Sequence, residues 1–79
     1  MSAKEMFEKL GYRDYHKMDN EIVYNYSWNE EPEEYRYISF NLETKQIELS
    51  DWRGDFYLER KELQAINKQV EELGWNEWI

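Results

Sequence analysis

His16 is the only histidine of this 79-residue chain, which contains no cysteine. With Asp14 and Asp19 it makes the one grouping whose residue types could hold a metal. The three lie in a polar stretch without the ligand spacing of zinc or iron sites, so the stretch reads as a solvated loop. A pair of carboxylates, Asp51 and Asp55, flanks Arg53-Gly54. General acid–base chemistry would need a base and a pocket beside them, and their surroundings read as a turn. Arg53-Gly54-Asp55 matches a cell-adhesion tripeptide, a chance match in a chain without a secretion signal. There is no Ser-His-Asp order with a nucleophile elbow, and three glycines are too few for a phosphate cradle. These residues assign no catalytic group, no metal ligand and no cofactor, and the chain reads as a protein other than an enzyme.

Two features point instead to a partner. Four Trp, seven Tyr and three Phe are more ring surface than so small a core can hide. Part of Tyr24, Tyr26, Trp28, Tyr35, Tyr37, Trp52 and Trp78 should therefore be available as interface anchors. The second feature is Glu30-Glu31-Pro32-Glu33-Glu34, which joins the two most aromatic stretches. Carboxylates around exposed rings would steer a basic surface in and then hold it. The residues expected to meet a partner are Trp28, Glu30, Glu31, Glu33, Glu34, Tyr35, Tyr37 and Trp52. Ten basic against eighteen acidic side chains give a net charge of −8, which opposes direct binding to nucleic acid or anionic lipid. A protein partner with a basic surface fits that charge. Two other uses are open: a nucleic-acid mimic that occupies a DNA-binding enzyme, and a homodimer or other homo-oligomer formed in assembly. The N-terminus lacks the apolar core of a signal peptide, and no run approaches a membrane span, which predicts a soluble cytoplasmic protein.

The elements that must carry these residues form one domain over residues 1–79. Ser2 and Glu5 have the spacing of a capping box, and Ala3, Met6, Phe7 and Leu10 then follow a helical period that Gly11 stops. Residues 13–20 are polar and aperiodic, ending in the turn pair Asp19-Asn20. Alternation predicts strands from Ile22 to Trp28, Tyr35 to Leu42 and Gln46 to Ser50, with a short fourth at Phe56 to Leu58. From Arg60 to Trp75 a helix is expected to bury Leu63, Ile66, Val70 and Leu73, with Glu62, Lys68, Gln69, Glu71 and Glu72 turned away. Leu58 and Glu59 before it offer no hydroxyl or Asn/Asp cap, so its first turn should be loosely capped. The fold class is α+β: N-terminal helix, antiparallel meander of three or four strands and C-terminal helix, in a two-layer sandwich. Both helices should cover a core of Ile38, Phe40, Leu42, Ile47, Leu49, Phe56 and Leu58. Tyr35, Tyr37 and Tyr57 are left for the opposite face.

Ala3-Lys4-Glu5-Met6-Phe7 with Leu10-Gly11-Tyr12, Tyr37-Ile38-Ser39-Phe40, and the string Leu63-Gln64-Ala65-Ile66-Asn67-Lys68-Gln69-Val70-Glu71-Glu72-Leu73-Gly74-Trp75 resemble small phage- and prophage-encoded proteins of Firmicutes. The likeness spans most of the chain, which departs from the family's usual hydroxyl residue before the last helix. No enzymatic activity attaches to that family, so the resemblance implies a setting: small acidic phage proteins often bind and redirect host proteins, including those of defence systems.

Overall fold

The computed structural model describes residues 1–27, 35–54 and 57–75. Helix α1 (Ala3–Lys9) is followed by strands β1 (Asp14–Met18), β2 (Glu21–Ser27), β3 (Tyr35–Asn41) and β4 (Gln46–Asp51), and then by helix α2 (Arg60–Glu72). The strands form one antiparallel sheet in the order β1-β2-β3-β4, so the fold is α+β as the alternation predicts. None of the described helices is long and apolar enough to cross a membrane.

The capping box forms as expected. The Glu5 amide donates to Ser2 Oγ at 3.2 Å, and the Ser2 amide donates to Glu5 Oε1 at 3.2 Å. At the other end Gly11 takes a φ of 104°, and the Tyr12 amide turns back to the Phe7 carbonyl at 3.0 Å. That reversal drives Tyr12 into the core. The same Leu-Gly-aromatic device closes α2: Gly74 has a φ of 75°, the Trp75 amide donates to the Val70 carbonyl at 3.0 Å, and Trp75 packs on the core.

Register sorts the sheet into two faces. Tyr15, Tyr24, Ile38 and Leu49 make one inward row, Ile22, Phe40 and Ile47 a second, and Tyr26, Arg36 and Asp51 a third. Phe7 of α1 stacks on Tyr24 with ring centroids 4.0 Å apart, and Phe40 closes edge-on against both. From α2, Ala65 and Ile66 complete the core, and Gln69 accepts the Tyr24 hydroxyl at 2.5 Å. Burial without that partner would leave a polar amide unsatisfied.

Four expectations need correction. The fourth strand is β1, from the stretch read as an aperiodic loop, and residues 57–59 are not a strand. β1 is an edge strand whose residues other than Tyr15 are exposed, three polar and one methionine, and its one packed ring, Tyr15, sits 5.1 Å from Tyr24, so hydrophobic period could not betray it. Helix α2 is rotated from its apolar stripe: Glu62, Ala65, Ile66 and Gln69 are buried, while Leu63 is 46% exposed. Its first turn is not loose, because Glu62 Oε1 accepts the Glu59 amide at 3.0 Å. Ile47 and Leu58, assigned to the core, are 38% and 40% exposed; Ile47 lies on the sheet's edge strand and Leu58 precedes the helix. Phe56 lies outside the described residues.

Gly11 tests the packing of the first reversal. A β-carbon there would come within 2.3 Å of the Tyr26 ring in a backbone region that other residues rarely adopt, whereas at Gly74 it would meet nothing within 4 Å. Gly11→Ala is expected to cost roughly 2–4 kcal/mol from strain and overpacking together. Gly74→Ala should cost about 1 kcal/mol from conformation alone. Urea denaturation of the two variants checks the difference.

Candidate functional site

Among the described residues, the third inward row holds the densest polar chemistry. Arg36 follows the alternation of Ile38 and Phe40, so β3 points its guanidinium into the layer between sheet and helix, where it is buried. Such a charge is tolerable only when its donors are met. Nη1 donates to Asp51 Oδ2 at 2.8 Å, and Nη2 reaches both Glu62 carboxylate oxygens at 2.8 Å and the Tyr57 carbonyl at 2.8 Å. Nε donates to the Tyr12 hydroxyl at 2.9 Å and to Glu62 Oε2 at 3.1 Å. The Tyr12 hydroxyl in turn donates to Glu62. Asp51 is held a second time by Arg53, through the amide at 2.9 Å, Nε at 3.0 Å and Nη2 at 3.1 Å.

The electrostatics follow from these contacts. Arg53 first, then its amide and Arg36, hold the Asp51 carboxyl well below the usual carboxylate range against the opposing effect of burial. Burial, and then the Glu62 carboxylate, push the Tyr12 hydroxyl up, so it stays protonated and can donate. Glu62, Tyr12 and Asp51 hold Arg36 firmly charged although burial opposes this. The two arginines face two carboxylates. A cleft of about 360 Å³ opens beside the network, walled by Leu10, Tyr26, Arg53, Tyr57 and Glu59. The Arg36, Asp51 and Glu62 groups are engaged in joining sheet, loop and helix, an arrangement that stabilises the fold.

The residues expected at a partner surface divide in two. Trp28, Glu30, Glu31, Glu33 and Glu34 lie outside the described residues. Tyr35, Tyr37 and Trp52 gather at one end of the sheet: the Tyr35 and Tyr37 rings stack with centroids 6.3 Å apart, and the Trp52 amide donates to the Tyr35 carbonyl at 2.9 Å. Tyr35 is 48% exposed and Trp52 41%. Arg53 lies 5.9 Å from the Trp52 ring. Tyr37 donates to Glu48 at 3.1 Å, and on the same face Ser39 donates to Glu21 at 2.5 Å. The outward positions of the four strands, read from register, contain Asp14, Glu21 and Glu48 and no lysine or arginine. Among the described residues most other rings are core: Tyr12 and Tyr24 are buried, and Tyr15 and Tyr26 pack against the cluster; Trp78 lies outside the described residues.

His16 is exposed on β1 opposite Val23, and among the described residues no three His, Asp or Glu gather as metal ligands. Asp55 lies outside the described residues. The Arg36 network was not anticipated, though a signal for it existed: Arg36 is in phase with Ile38 and Phe40, and Glu62 with Ile66, Gln69 and Leu73. No protein-family model, curated protein or solved structure matches the chain.

The network yields two expected outcomes. Arg36→Met leaves Glu62 uncompensated and should lower stability by about 3–5 kcal/mol, with part regained in the double variant Arg36→Met/Glu62→Met. The Asp51 carboxyl is more acidic folded than unfolded, so its stabilisation is present above the unfolded pKa of about 4 and is lost as pH falls below it. The gap in urea midpoint between wild type and Asp51→Asn should therefore be widest near pH 7 and narrow steadily as the pH is lowered below 4.

Proposed function

We propose that the chain is a small acidic interaction module of phage type that binds a host or phage protein through a basic surface, and in doing so redirects or inhibits it, a host defence protein being the natural target. The observation that carries this reading is the outer sheet face, where stacked Tyr35 and Tyr37 and exposed Trp52 share a surface whose outward strand positions hold carboxylates and no lysine or arginine. Aromatic anchors supply contact area at low cost in side-chain freedom, while the carboxylates steer a cationic surface during encounter. The net charge of −8 acts in the same direction over a longer range. The resemblance to small phage-encoded proteins supports the biological setting. The Arg36 network supports it indirectly, since its charged groups are committed to the fold and leave the sheet face as the place for recognition.

Affinity capture from lysate of a Firmicutes host, with bound proteins identified by mass spectrometry, tests the proposal. The double variant Tyr35→Ala/Trp52→Ala is expected to weaken retention of a basic partner by at least about tenfold, since anchor rings commonly contribute more than 1 kcal/mol each. Raising the salt should weaken retention by wild type further. Equal retention by wild type and variant overturns the assignment of this face.

A further inference from the structure

The sheet is open, and its two edges differ. β1 carries an inward-row lysine, Lys17, beside Ile22, a charge of the kind that keeps another strand from pairing there. β4 reads Gln-Ile-Glu-Leu-Ser-Asp, with neither lysine nor proline. The Trp52 amide bond to the Tyr35 carbonyl sets the alternation of the β3–β4 ladder, so Gln46, Glu48 and Ser50 turn their backbone groups toward β3. Ile47 and Leu49 turn theirs outward. Beside that edge is uncovered apolar surface. Ile47, on β4 itself, is 38% exposed.

We infer that the β4 edge takes up an extended segment of the basic partner as a fifth strand, with lysine or arginine facing Glu48 on the outer side and aliphatic residues lying on Ile47 on the inner side. The inference rests on the interaction-module reading and adds the mode of docking and the sequence pattern recognised. Main-chain bonds to Ile47 and Leu49 supply affinity, and the alternation of β4 supplies selectivity. Charge complementarity selects this occupant over a second copy: two chains of net charge −8 repel each other, whereas a cationic segment is drawn in.

The test uses two capped peptides of one composition, Lys-Val-Lys-Val-Lys-Val and Lys-Lys-Lys-Val-Val-Val, with the full chain. The alternating peptide should bind about tenfold or more tighter, the sum of a few cross-strand pairs. It should also slow hydrogen exchange at the Ile47 and Leu49 amides. Ile47→Pro removes one outward donor, and Ile47→Lys installs the guard charge that β1 carries. Both should abolish the preference while circular dichroism stays unchanged. Equal binding of the two peptides, binding without protection of those amides, or their protection by self-association alone overturns the inference. Failure here alongside loss of capture by Tyr35→Ala/Trp52→Ala would leave the aromatic face standing and remove only the added strand.

Discussion

A single guanidinium holds the two layers in register. Arg36 sits where β3 would otherwise bring a bare charge under α2, and it is bracketed by a carboxylate from the next strand, another from the helix and a carbonyl from the segment between them. Each bracket joins a different part of the chain. Glu62 contributes twice, since the carboxylate that receives Arg36 also receives the Glu59 amide and so starts the helix. The start of α2 and its docking on the sheet are thereby one event, and neither is well satisfied without the other.

The remainder of the interior is assembled from rings. Phe7, Tyr24 and Phe40 meet at the centre, Tyr12 is delivered to them by the reversal at Gly11, and Tyr15 and Tyr26 extend the cluster toward the sheet's margins. In a chain without disulfides this gives a short core a large enclosed area. Where a ring or amide brings polarity inside, it is matched, as in the bond from Tyr24 to Gln69. Among the described residues no buried side-chain polar atom lacks a partner.

What could be read in the sequence followed from whether a residue's environment matched its own chemistry. Ser2 with Glu5, Gly11, Gly74 and the alternation of Ile22 with Tyr24 and of Ile38 with Phe40 all state their role locally, and the helices and three of the strands were legible from them. β1 was not, because a polar edge strand owes its existence to pairing with β2 and to one ring. The face of α2 was misjudged for a related reason. Hydrophobicity ranks Leu63 above Glu62 and Gln69, yet Arg36 and Tyr24 below the helix demand the polar pair, and the helix turns to supply them. Of the residues proposed for a partner surface, Tyr35 and Tyr37 take the outward positions that their alternation predicts, and Trp52 is exposed in the turn after β4. Asp51 was read as a turn former, and it is one for Arg53, but its partnership with Arg36 depends on a register that only the folded sheet sets.

The bond from the Ala3 amide to Glu72 joins the start of the first helix to the last turn of the second across 69 positions of sequence. A short linker between the two helix ends, with new termini opened at Asp19-Asn20, would produce a circularly permuted chain that retains the β2–β3 and β3–β4 ladders, the Arg36 brackets and the ring cluster. In that rearranged chain β1 would become the terminal segment, held to the sheet from its own end.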